Sequence, residues 1–86
     1  MRFLYTARFQ RAYASLSDRQ VEFVKKALRL LVADLRHPSL RVKKMQSTAD
    51  IRETRASLVL RLTFEIHGEA LVLRTVGAHD ETLRNP

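Results

Sequence analysis

The spacing of apolar residues changes once along the chain, from helical in the first half to alternating in the second. Residues 2–7 (Arg-Phe-Leu-Tyr-Thr-Ala) read as a short strand of aromatic and β-favouring residues. Phe9, Ala12, Tyr13 and Leu16 then recur at helical spacing, one face of a short helix. A second helix is announced by Ser17, a candidate N-cap, with Gln20 placed to reach back to the cap amide. Leu16 and Val21 flank that cap as a hydrophobic staple. Val21, Val24, Leu28, Leu31 and Leu35 hold one face of this helix, while Glu22, Lys25, Lys26 and Arg29 take the others. Pro38 disfavours helical geometry at His37, so the helix is expected to end near Arg36.

Beyond that point strands are expected over residues 40–45, 51–56, 58–66 and 69–76. The third is the clearest. Leu58, Leu60, Leu62, Phe64 and Ile66 alternate with Val59, Arg61, Thr63 and Glu65, as in a strand buried on one side. His67 and Gly68 read as a two-residue turn, which would oppose Ile66 to Glu69, Phe64 to Leu71, Leu62 to Leu73 and Arg61 to Arg74. Two opposed arginines are unfavourable unless an anion or carboxylate lies beside them. The predicted order is β-α-α-β-β-β in a single domain over residues 1–86: an α+β fold, with a helical hairpin packed on one face of an antiparallel sheet and the other face open. Leu28, Leu31, Leu62, Phe64 and Leu73 are the expected centre of the core.

Composition narrows the function. Hydrophobic residues make up 45% of the chain and there are only two Gly and two Pro, so a folded core is expected rather than a linker or repeat. The absence of cysteine removes disulfides and suits a reducing cytoplasm. No signal-peptide pattern or membrane-length apolar run is visible. Sixteen Lys and Arg against nine Asp and Glu give a net charge of +7, and twelve of the sixteen are Arg, the better fork for phosphate. Residues 36–61 hold seven of these cations against Asp50 and Glu53, a field that favours polyanions.

There is no Gly-rich phosphate loop, no H-E-x-x-H and no G-x-S-x-G, and His37, His67 and His79 lack metal-ligand spacing, so neither a metal nor a cofactor is implied. His67 reads as a turn residue and His37 as a helix-end residue. His79 follows a strand in Val76-Gly-Ala-His-Asp80, where Gly77 can bend the chain across the open face. Alternation allows only one of Lys43 and Lys44 on that face. Arg55 and Arg61 share a face if the intervening loop has an odd residue count. Basic side chains and one histidine on one sheet face suit metal-independent RNA cleavage, in which a 2′-hydroxyl attacks phosphorus, cations stabilise the phosphorane and an acid protonates the leaving 5′-oxygen.

In order and spacing, the stretches Pro38-Ser-Leu-Arg-Val-Lys-Lys-Met45, Ile51-Arg-Glu-Thr-Arg55, Leu60-Arg-Leu-Thr-Phe64 and Val76-Gly-Ala-His-Asp80 resemble the RelE/ParE superfamily of toxins from type II toxin–antitoxin systems, in its RelE/YafQ-like branch. The resemblance spans nearly the whole chain. It implies an endonuclease acting on translated mRNA, with or without the ribosome, or in the ParE branch a gyrase inhibitor, together with a cognate antitoxin that wraps the toxin. Carried over by position, His79, Lys44 and Arg61 are catalytic, and Arg55, Arg61 and Lys43 bind RNA phosphate, with Asp80 and Leu83 in support or stacking. The chain departs from the family where aromatic residues are usual, at Arg52, Leu60 and Leu83. A non-catalytic RNA- or protein-binding module on the same fold is the other reading.

Overall fold

The computed structural model describes residues 2–45 and 50–86; the stretch between the strands expected over 40–45 and 51–56 lies largely outside them. The chain runs β1 (Arg2–Tyr5), α1 (Ala7–Ala14), α2 (Asp18–Ala33), β2 (Lys43–Lys44), β3 (Arg52–Arg55), β4 (Leu60–His67), β5 (Ala70–Ala78) and α3 (His79–Arg84). The strands form one sheet in the order β1-β5-β4-β3-β2. Strands β2 to β5 are antiparallel, as expected, but β1 lies parallel to β5, so the sheet is mixed. The two helices carry the chain from β1 to β2 at the opposite edge of the sheet, and three successive antiparallel reversals then bring β5 alongside β1 in the same direction.

Local signals explain most boundaries. Thr6 caps α1: its hydroxyl accepts from Phe9 N–H at 3.1 Å and donates to the Leu73 carbonyl at 2.8 Å, tying the helix start to β5. The capping box of α2 is complete, with Gln20 N–H on Ser17 Oγ at 3.2 Å and Ser17 N–H on Gln20 Oε1 at 2.9 Å. That helix stops at Ala33, three residues before Arg36. Asp34 turns extended and its carboxylate accepts from Arg36 N–H at 2.9 Å, a local bond that competes with the helix before Pro38 is reached.

The core lies between the helices and the sheet. Leu31, Leu62, Phe64 and Leu73 are fully buried there with Val24 and Ala27, and Leu28 packs against them half-buried. Leu58, expected among them, is instead 76% exposed, because β4 begins only at Leu60. The strand expected over 40–45 shrinks to two residues because Arg41 adopts φ 49° and breaks the extended run. The last hairpin turns at Gly68 and Glu69 rather than at His67 and Gly68. His67 therefore pairs with Ala70 and Phe64 with Leu73, while Thr63 pairs with Thr75, which leaves Arg74 as a bulge. Leu62 pairs with Val76, and Arg61 opposes Gly77 rather than Arg74.

Candidate functional site

The sheet face away from the core is polar. Pairing puts Lys43 beside Glu53, Arg55 beside Arg61, Glu53 beside Thr63 and Thr63 beside Thr75. Five residues separate Arg55 from Arg61, and the odd count brings the two arginines directly opposite each other. This face is not open. After β5 the chain crosses it as α3, with Thr82 buried, and Thr63 Oγ1 and Arg74 Nε both donate to the Pro86 carbonyl, at 2.8 and 3.1 Å. Arg8 of α1 donates to the Asn85 carbonyl from the side. A Cβ at Gly77 would stand 3.3 Å from Glu81 Oε2, so a side chain there would have to displace that carboxylate slightly.

A chain of contacts links the lysine edge of the sheet to His79. Lys43 Nζ is 4.0 Å from Glu53 Oε1, and the same oxygen is 3.5 Å from Arg61 Nε. Arg61 is only 8% exposed, and its Nη1 donates to the carbonyls of Ser57 at 2.8 Å and Leu58 at 3.0 Å. The next carbonyl, Val59, accepts from His79 N–H at 3.2 Å. One turn, residues 57–60, is thus gripped by Arg61 from below and by the start of α3 from the side. Among the described residues no side-chain hydrogen bond ties the half-buried His79 imidazole, while Asp80 and Leu83 are exposed on α3.

Arg55 differs from Arg61. Its Nε is buried without a hydrogen-bond partner, and it has no carboxylate partner among the described residues. Its pKa falls below the ordinary guanidinium value, first through burial and then through repulsion by Arg41 and Arg61. Glu53 Oε2 is also buried without a hydrogen-bond partner. One carboxylate serves Lys43 and Arg61, and Arg55 is left over.

Of the residues predicted for the site, the structure therefore brings Lys43, Arg55, Arg61 and the backbone of His79 to one end of the polar face. Lys44 is not among them. It pairs with Arg52, on the side of the sheet that also carries Phe64, so the pleat turns it away from Arg61. Sequence reasoning put Thr63 on this face but missed the central position of Glu53 and the place of Thr75 beside Thr63. The signal was present in Arg61, Thr63 and Glu65, the polar alternate positions of β4. His37 and His67 are local, the first accepting from Ser39 N–H at 3.2 Å and the second 3.2 Å from Glu65 Oε1.

No family model matches the chain, and no curated protein matches it in sequence. Solved structures match its fold closely. YafQ from Escherichia coli strain BL21(DE3) superposes with a TM-score of 0.79 at 16% identity, covering 93% of this chain and 94% of that one. A YoeB/ParE toxin from Agrobacterium tumefaciens gives 0.78 at 15% identity over 92% and 99%. The RelB–RelE antitoxin–toxin complex from Methanococcus jannaschii gives 0.76 at 15% identity over 96% and 99%. The fold is RelE-like.

Proposed function

We propose that the protein is the toxin of a type II toxin–antitoxin pair, of the RelE/ParE superfamily, and that it cleaves mRNA without a metal. The carrying observation is Arg55, a guanidinium opposed to a second arginine and left without an anion, at the end of the sheet where His79 arrives. Such a site is completed by a phosphate. In this reading Arg55 grips the scissile phosphate and Lys43 assists loss of the 2′-hydroxyl proton. The 2′-oxygen bonds to phosphorus, the bond to the 5′-oxygen breaks, and His79 protonates that oxygen. The products are a 2′,3′-cyclic phosphate and a 5′-hydroxyl. Arg61, sequestered by Glu53 and two carbonyls, acts as a positioning residue that holds the turn on which His79 rests.

The test is cleavage of a translated message with and without ribosomes, read by primer extension. Removing one proton-transfer group costs about 10²–10⁴-fold in rate, so His79→Ala should lose cleavage by that order while melting like the wild type. Cleavage by His79→Ala at the wild-type rate would place the acid elsewhere. One observation favours a second reading, a toxin or binding module that cleaves nothing: the burial of Arg61, which leaves one arginine rather than two for phosphate. A wild type that cleaves in neither format selects it.

A further inference from the structure

A second cluster of cations stands apart from Arg55, Arg61 and His79. Arg52 pairs with Lys44 and with the core residue Phe64, so the pleat turns it to the helix side of the sheet, away from the polar face. There it lines a cavity of ≈ 510 Å³ with Arg36 and His37 from the segment after α2 and Arg41 from the loop ahead of β2. None of the three arginines has a carboxylate partner among the described residues, and Lys44, directly opposite Arg52, adds a like charge. The turn after α2 fixes which nitrogen of His37 carries the proton. Nδ1 accepts from Ser39 N–H at 3.2 Å and lies 2.7 Å from Ser39 Oγ, so in the neutral ring Nε2 is the donor. Arg41 holds φ 49°, a left-handed conformation costly for a non-glycine residue, and such outliers cluster at ligand sites. Half-buried Val42 and Ile66 pack on the core and give the cavity an aliphatic floor.

We propose that this cavity binds a nucleotide, with Arg36, Arg41, Arg52 and the His37 N–H on its phosphates and Val42 and Ile66 beneath its base. Guanidinium forks match phosphate oxygens bidentately, and three of them call for more than one negative charge. A lone phosphate would leave most of the space empty, whereas ≈ 510 Å³ lies within the range of about 300–1,000 Å³ that small organic ligands occupy. The apolar floor gives the remainder of such a ligand a surface to cover. Cations from three separate segments converge on one hollow, which suits a compact multivalent anion better than carboxylates strung along a peptide. The site uses neither Arg61 nor His79 and does not depend on the nuclease reading. Two sources share its chemistry, a free nucleotide and one nucleotide of an RNA strand. Arg41 also lines the neighbouring groove that contains Arg55, so a strand held at Arg55 has a route to this cavity.

The experiment titrates the full chain with adenosine diphosphate, inorganic pyrophosphate, adenosine, a short oligoadenylate and a glutamate-rich peptide. Calorimetry reports affinity, and amide and His37 Nε2 chemical shifts report location. Adenosine diphosphate should bind with shifts at His37, Val42, Arg52 and Ile66. Pyrophosphate, lacking the base, and adenosine, lacking the phosphates, should each bind about tenfold more weakly or worse. Arg36→Gln and Arg41→Gln, both at exposed positions where folding is not at stake, should each weaken adenosine diphosphate about tenfold, the loss of one charge-assisted contact. Arg29→Gln, which removes the same charge from an exposed position on α2, should leave the affinity unchanged. Oligoadenylate that binds here more tightly than adenosine diphosphate, and loses affinity with Arg41→Gln, assigns the site to an RNA strand; weaker binding assigns it to a free nucleotide. A nucleotide site is overturned if adenosine diphosphate does not bind, if its shifts are confined to Arg55 and Arg61, or if pyrophosphate binds as tightly. It is equally overturned if Arg29→Gln weakens binding as much as Arg36→Gln, or if the peptide binds this cavity more tightly than the nucleotide. A protein that binds the nucleotide here yet cleaves no message keeps this site and loses the nuclease reading; one that cleaves but ignores the nucleotide does the reverse.

Discussion

The two ends of the polar sheet face handle their arginines differently. At the bulge end, Arg74 is 2.5 Å from Glu65 and donates to the Pro86 carbonyl, so its charge is answered locally. At the turn end, Glu53 is shared by Lys43 and Arg61, and Arg55 has no carboxylate among the described residues. The two ends share β4, which carries Arg61 at one and Glu65 at the other, and both are covered or flanked by the segment that follows β5. Among the arginines of this face, the unanswered charge therefore sits at the turn end, beside a buried carboxylate already shared by two other cations, where an incoming anion has most to gain.

The largest effect is expected from removing what the two ends share. Leu62 is fully buried beneath both, on the core side of β4. Leu62→Ala should cost about 2–5 kcal/mol in chemical denaturation and lower hydrogen-exchange protection at Arg61 and Thr75 together. A loss under about 1 kcal/mol, or a loss of protection at one end only, would mean that the ends do not share a foundation.

Removing the shared carboxylate comes next. Glu53→Gln leaves Arg61, like the Arg55 opposite it, without a carboxylate and should cost about 1–3 kcal/mol. Adding Arg55→Gln should recover part of that loss, because the surplus charge disappears with it. Additive effects in this double-mutant cycle would show that Glu53 and Arg55 do not communicate. A smaller effect should follow from an added anion. Inorganic phosphate should raise the melting temperature of the wild type and of Arg74→Gln by a few degrees, and that of Arg55→Gln by less. An equal shift in all three proteins would trace the effect to general salt.

How much of this was legible beforehand depended on whether a feature is local. The capping box at Ser17 and Gln20, the alternation from Leu60 to Phe64 and the odd spacing from Arg55 to Arg61 are written in neighbouring residues, and each is realised in the structure. Features set by competition were not legible. Asp34 ended α2 through its own side chain, and Arg41 broke the strand at a non-glycine position. The turn at Gly68 and Glu69 shifted the hairpin register by two residues, which preserved the faces near it but changed every partner. The bulge at Arg74 then separated that residue from Arg61. Which lysine faces the site turned on pairing with Arg52 and Glu53, a long-range fact that no local spacing encodes.

The bulge end offers the gentlest test, through pH. The Glu65 carboxyl is held below the usual carboxylate range, chiefly by its hydrogen bond with Arg74 and further by His67, against a smaller opposing effect of burial. A carboxylate whose folded pKa is depressed stabilises the fold fully above its unfolded pKa, near 4.3, and that contribution is lost as pH falls through the folded value. Stability should therefore decline on the acid side of about pH 4 more steeply in the wild type than in Glu65→Gln. At neutral pH the variant should be weaker by only about 0.2–1 kcal/mol, since both partners are partly exposed to solvent and salt. Thermal melts between pH 3 and pH 7 would measure both quantities, with the wild-type and variant curves converging toward the acid end. Curves that stay parallel throughout would mean that Glu65 does not neutralise Arg74 in solution. The bulge end would then carry a second unanswered arginine, and the contrast with Arg55 would disappear.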